Sequence, residues 1–237
     1  MISVFKGHNN LLIQFYVFVA LALMFACTPE DKKPGGNDNG KDKGGLEAVD
    51  LGLSVKWANT NIGADSIEEY GGYYAWGETE AKLDYSWETY KFSGEYSGKY
   101  IKYNTRKMHG VVDDKTVLEP EDDVAHIRLG GKWRMPTHEE WTELRTKCTW
   151  TWVTNYNGTG INGRLVTASN GNSIFLPAAG YRCITDLLKV GSYGSYWSSS
   201  LCADYPDAAW YVYFSSDEVF RGNDNRFDGY TIRPVTE

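Results

Sequence analysis

Apolar and polar residues alternate strictly from Val49 to Trp57, with Val49, Leu51, Leu53, Val55 and Trp57 on one side and Asp50, Gly52, Ser54 and Lys56 on the other. A period of two over nine residues predicts a half-buried strand. Gly71-Gly-Tyr-Tyr-Ala-Trp-Gly77 reads as a short strand bounded by glycines, and residues 84–105, rich in Tyr, Ser and Gly, as irregular loops or a hairpin. Two helices follow. Pro120 opens the first, with Glu121, Asp122 and Asp123 in its opening turn, where acids favour the helix dipole, and Gly130-Gly131 closes it. Thr137 opens the second, with Glu140 three residues on as a capping box and Trp141, Leu144 and Cys148 on one face. Beyond it lie strands and turns: 164–168 and 173–176 flank the hairpin signal Asn170-Gly171, then 209–214 and 230–235. The order predicts an α+β domain, two short helices with a largely antiparallel, loop-rich sheet.

A different pattern precedes these elements. Residues 1–26 hold Lys6, no acid and an apolar run from Leu11 to Ala26 broken only by Gln14, too short for a comfortable membrane span. Ala26-Cys27 closes it as a lipobox, with Met24 and Phe25 as departures from the usual residues. Residues 1–26 are therefore expected to be a lipoprotein signal peptide and Cys27 the lipid attachment site. Each buried methylene of the lipid chains would contribute about 0.8 kcal/mol to membrane anchoring. Residues 27–45 form a polar, Gly- and Lys-rich tether with nothing to build a core, and 46–237 a single folded domain.

Composition narrows the function. The full chain carries a formal charge of −7, and loss of the leader with Lys6 makes it more acidic by one. No basic patch stands out, which argues against nucleic acid and anionic head groups as partners. Three cysteines follow Cys27: Cys183 and Cys202 fall in the loop-rich C-terminal part and are the expected bridge, with Cys148 a buried thiol at a helix end. His109, His126 and His138 lack ligand-like spacing, and there is no nucleophile elbow or phosphate-cradling loop. No catalytic residue or catalytic metal site is expected, although a hidden carboxylate pair would escape such a search. Asn157-Gly-Thr-Gly-Ile-Asn-Gly163 and Asn170-Gly-Asn172 offer oxygens for a structural Ca²⁺, and the same runs suit tight turns.

Six stretches, taken in order, resemble the Fibrobacter succinogenes major paralogous domain, a family common in Bacteroidetes lipoproteins. They are Val49-Asp-Leu-Gly-Leu-Ser-Val-Lys-Trp-Ala58, Tyr74-Ala-Trp-Gly-Glu-Thr79, Gly131-Lys-Trp-Arg-Met-Pro-Thr137, residues 170–182, Tyr196-Trp-Ser-Ser-Ser200 and Ile232-Arg-Pro-Val235. Through Arg134-Met-Pro-Thr-His-Glu-Glu-Trp141 the family resembles the sulfatase-modifying-factor variant of the C-type-lectin-like fold. That resemblance implies exposed C-terminal strands and loops as a ligand surface and carries no activity with it. Glu30-Asp31 resembles the export signal that places such lipoproteins on the outer membrane facing the exterior. Asp65-Ser66-Ile67 fits the short O-glycosylation pattern of the same bacteria, and residues 221–229 resemble segments written by diversity-generating retroelements.

The C-terminal stretch interleaves aromatic residues with Ser, Asp and Asn, a mixture suited to stacking on sugar rings and bonding their hydroxyls, and also to protein recognition. Since half the rings of a strand face the core, Trp197 and Trp210 are assigned to packing. Tyr205, Asp207, Phe220, Arg221, Asn223, Asp224, Asn225, Arg226, Phe227 and Asp228 are the candidate ligand contacts, expected in loops. Trp133 is expected to pack over the helix pair, and Arg134 to pair with Glu140. The expected function is a lipid-anchored cell-surface module that binds a glycan or a surface protein. The alternatives are an assembly subunit of an envelope complex and a divergent enzyme.

Overall fold

The structure, a computed structural model, describes residues 45–237. The expected signal peptide, the lipid site Cys27, the export signal and all of the tether but Gly45 lie outside the described residues. The alternation at 49–57 divides into two short strands, β1 (Ala48–Val49) and β2 (Lys56–Ala58), which pair antiparallel with Val49 opposite Trp57. Gly52 adopts φ +68° and donates its N–H to Asp50 Oδ1 at 2.8 Å, so the chain turns where one strand is expected. The inward side is nonetheless right, since Leu51, Val55 and Trp57 are buried. The segment 71–77 is likewise not a strand: it is joined to the rest by a bridge from Tyr74 to Tyr230 and turns at Trp76-Gly77.

Pro120 opens a 3₁₀ turn, Pro120–Asp122, and not the α-helix. Helix α1 (Val124–Leu129) starts at Asp123, whose Oδ1 accepts from the N–H groups of Ala125 and His126, and ends at Gly130 with φ +70°. Asp122 serves elsewhere: its carboxylate accepts from Tyr103 Oη at 2.6 Å and from the ammonium groups of Lys91 and Lys102. Helix α2 (His138–Lys147) carries the expected capping box between Thr137 and Glu140. Glu140 also takes both guanidinium nitrogens of Arg134, at 2.8 and 2.5 Å, which makes the expected ion pair bidentate. Trp133 is half-buried beside them.

β3 (Thr149–Val153), β4 (Gly163–Thr167) and β5 (Ser173–Pro177) form an antiparallel sheet, with the hairpin turning at Asn170-Gly171 as expected. β6 (Tyr181–Cys183) and β7 (Asp186–Leu188) form a small hairpin. The third sheet contains β8 (Gly194–Leu201), β9 (Ala208–Phe214) and β10 (Val219–Asn225) in the order β10-β9-β8. The expected strand 230–235 is mostly a set of isolated bridges that ends in β11 (Val235–Thr236), which pairs with β2. Two α-helices and mostly antiparallel sheets place the described residues in a mixed, α+β-type class. None of its helices is long and apolar enough to cross a membrane.

All eight residues of β8 are buried, because the strand divides two cores. On one side Trp197 and Leu201 join Trp76, Tyr85, Tyr103 and Tyr230; on the other Tyr196 joins Trp57, Trp141, Val212 and Phe214. Its serines bridge an irregularity between Trp197 and Leu201: Ser198 Oγ donates to the Trp210 carbonyl, and Ser199 N–H turns away to Pro136. Cys148, Cys183 and Cys202 are all free, so the expected 183–202 bridge is absent, and Cys148 is half-buried at the end of α2.

Long irregular segments leave carbonyls inside the protein, and buried arginines satisfy them. Arg226 donates to Tyr90 Oη and to the carbonyls of Tyr103, Pro206 and Lys102, with Tyr100 and Trp76 rings 4.3 and 4.9 Å from its guanidinium. Arg233 joins Asn61, Ala58 and Phe175 at 2.8–3.0 Å. Arg226→Met, which orphans several buried acceptors at about 1–3 kcal/mol each, should lower stability by at least about 3 kcal/mol, and Lys should not restore it, because the planar fork is what reaches several acceptors. Arg134→Ala, at a half-exposed pair, should cost about 1 kcal/mol. Urea midpoints of the two variants test this ranking, and equal losses would contradict it.

Candidate functional site: a tyrosine-lined cleft

The register of β8, β9 and β10 decides which side chains share a face. Ser195 lies opposite Tyr213, and Trp197 opposite Tyr211; across the other edge of β9, Phe220 faces Tyr213 and Gly222 faces Tyr211. Ser195, Trp197, Tyr211, Tyr213, Phe220, Gly222 and Asp224 therefore lie on one side of the sheet. Gly222 is required there: a Cβ would stand 2.8 Å from the Tyr211 ring, so only glycine lets that ring lie across β10.

The rings build a continuous wall. Tyr213 stacks on Phe220 at 5.6 Å, on Tyr211 at 6.0 Å and on Tyr193 at 6.4 Å between centroids. Tyr230 lies 5.0 Å from Tyr211 and 6.0 Å from Tyr181, and is backed by the buried Trp197 at 4.2 Å. Between them opens a cleft of about 310 Å³, lined by Tyr181, Lys189, Tyr193, Ser195, Tyr211, Tyr213, Asp224 and Tyr230. The residues come from β6, the segment between β7 and β8, β8 itself, β9, β10 and the C-terminal run.

Electrostatically the cleft is acidic with protonated phenols. Tyr230 Oη donates to Asp224 Oδ2 at 2.6 Å, and the Asn225 N–H donates to Asp224 Oδ1. Burial, and then the Asp224 carboxylate, hold the Tyr211 and Tyr230 phenols well above their ordinary range, so both remain hydrogen-bond donors. Asp228 is buried close by, and its Oδ1 meets no donor. Burial and the neighbouring Asp224 push its carboxyl up to about 7, while burial and Asp228 raise the Cys183 thiol.

The ten sequence-derived candidates are not gathered in loops. Phe220, Arg221, Asn223, Asp224 and Asn225 belong to β10, and of the ten only Asp224 lines the cleft, with Phe220 extending its wall. Arg221, Asn223 and Asn225 are exposed on the opposite face. There Arg221 contacts His138 Nε2 at 2.8 Å and lies over Trp210, which also stacks on His138, so Trp210 is half-buried rather than a core residue. Burial and then Arg221 lower the His138 pKa, favouring the neutral ring that accepts this bond. Arg226 is wholly buried and holds carbonyls, which corrects its assignment as a ligand contact. Asp228 is buried too, and Phe227 is half-buried against the edge of Trp87. Tyr205 is exposed and Asp207 half-buried in the β8–β9 turn, outside the cleft lining. Trp197 packs as expected.

Sequence reasoning missed Tyr181, Lys189, Tyr193, Ser195, Tyr211, Tyr213 and Tyr230. The usable signal was the alternation of Tyr211 and Tyr213 beside a strand bearing Gly222. The amides expected to suit Ca²⁺ close turns instead: Asn162 Oδ1 accepts from Asn155 N–H, Asn155 Oδ1 from Gly160 N–H, and Asn170 and Asn172 donate to the Asp50 carbonyl. Glu119, Glu121 and Asp122 come close together, but Lys91, Lys102 and Lys115 bind these carboxylates. No family model, curated protein or solved structure matches the chain.

Asp228 gives the cleft a pH signature. With a carboxyl near 7 against an ordinary 3.8, the folded state keeps a proton that the unfolded chain releases between those values. Its contribution is therefore fully present below about pH 4 and is lost as pH rises toward 7, by up to about 1.4 kcal/mol per pH unit. Asp228→Asn should remove this decline, so the variant should gain stability over the wild type from pH 4 to 7 in urea titrations. Parallel pH curves would show that Asp228 does not hold its proton.

Proposed function

We propose that the chain is a lipid-anchored module on the outer surface of the outer membrane, with a C-type-lectin-like domain of the major paralogous type, and that it binds a glycan in the tyrosine cleft. The observation that carries this reading is the wall of five tyrosines around an open cleft with Asp224 at its side. Sugar rings present apolar C–H faces to aromatic rings and hydroxyls to acceptors and donors at their edges. Here the rings supply the first, and Asp224, the raised phenols of Tyr211 and Tyr230, and Ser195 the second. The wall is prebuilt by stacking and backed by a buried Trp, so a ligand meets little ordering cost.

A second reading, an assembly subunit of an envelope complex, draws support from Ile184, Leu187, Leu188 and Val190, apolar residues exposed on and beside the β6–β7 hairpin. The two readings differ in what the cleft does.

A broad glycan array probed with the full chain, with and without Ca²⁺, is expected to give a discrete set of hits independent of calcium. Tyr193→Ala with Tyr213→Ala should weaken such binding at least tenfold at an unchanged fold, judged by thermal melting. Tyr205→Ala with Phe227→Ala, outside the cleft lining, should leave it intact. The reverse pattern would move the ligand to the β8–β9 turn, and silence on the array would favour the assembly reading.

A further inference from the structure

Buried acids elsewhere in the protein have compensating partners. Asp122 is paired with Lys91 and Lys102, and Asp123 accepts three backbone N–H groups. Asp224 and Asp228 differ. Neither forms an ion pair among the described residues: the half-buried Asp224 accepts from Tyr230 Oη and the Asn225 N–H, and Oδ1 of the buried Asp228 has no donor. The one base lining the cleft, Lys189, is exposed and lies over the Tyr193 ring at 5.5 Å rather than against a carboxylate. An Asp224 carboxylate without a paired cation therefore adjoins a wall of electron-rich ring faces, while the buried Asp228 stays outside the lining.

That combination selects a kind of ligand. A neutral hydroxyl would bond Asp224 and leave its negative charge unneutralised, whereas an organic ammonium answers that carboxylate and the ring faces together. A hard divalent ion fits poorly, since calcium takes six to eight oxygen ligands and protonated phenols are weak ones. We infer that the sugar seated in the tyrosine cleft carries a protonated, non-acetylated amine, with its ring against Tyr211 and Tyr213 and its ammonium directed to the Asp224 side. The inference rests on the glycan reading of the same cleft.

The test uses the full chain and two kinds of probe. Calorimetry compares the methyl glycosides of glucosamine, N-acetylglucosamine and glucose, and tyrosine-ring NMR shifts follow tetramethylammonium chloride against sodium chloride at equal ionic strength. The free-amine glycoside should bind about tenfold tighter than either neutral one, about 1.4 kcal/mol. Asp224→Asn, which keeps an acceptor for the Tyr230 hydroxyl, should level the three glycosides and abolish the tetramethylammonium shifts without a change in melting. Neutral glycosides that bind as well as the amine would overturn the inference and leave the glycan reading standing, as would a preference that persists in Asp224→Asn. Tetramethylammonium shifts that need Asp224, with no sugar binding at all, would keep a cation site and overturn the glycan reading. Silence from every probe would overturn both.

Discussion

The fold depends on guanidinium groups placed where backbone carbonyls would otherwise be buried without donors. Much of the chain between β2 and α1 has no regular structure, so its carbonyls cannot be satisfied by a ladder. Arg226 and Arg233 reach into the interior from the C-terminal run, and Arg164 from β4 to the carbonyls of Trp150, Ser215 and Ser216. None of the three forms an ion pair among the described residues, so carbonyl dipoles and ring faces do the solvating that water or carboxylates would do. Burial lowers the Arg233 pKa to about 10, which still leaves the group charged at neutral pH.

The same tethers position the cleft. Arg226 follows directly on β10 and fastens its end to the segment around Tyr103, which fixes Asp224 and lets the chain return through Tyr230. Tyr230 then sits between the inner Trp197 and the outer Tyr211, part core and part binding wall. Rigidity at the wall thus comes from packing in the core behind it. The acidity comes from leaving Asp224 without the lysines that Asp122 receives.

Elements written in local chemistry were legible: the capping box of α2, the Asn170-Gly171 hairpin, the inward side of 49–57 and most of β9. Elements settled by distant contacts were not. Phe220-Arg-Gly-Asn-Asp-Asn225 has the composition of a loop, and pairing along the whole of β9 makes it a strand. Arg226 has the composition of a surface residue, and only the acceptors from residues 90 to 206 explain its burial. Pro120 has the look of a helix start, yet Asp122 is taken by Tyr103 and two lysines, and the cap falls to Asp123. The cleft combines segments more than forty residues apart, so no window of sequence contained it.

The two deep arginines also concentrate closing contacts of the domain in one short stretch, residues 226–237. The described residues up to Asn225 hold both described helices and ten of the eleven described strands, but not Arg226, Tyr230, Arg233 or the strand that closes on β2. Without that stretch the carbonyls of Ala58, Lys102, Tyr103, Phe175 and Pro206 lose their guanidinium donors. Removal of residues 226–237 therefore takes away packing from both cores at once, through Tyr230 and Ile232 on one side and Val235 on the other, a loss out of proportion to the length of the segment.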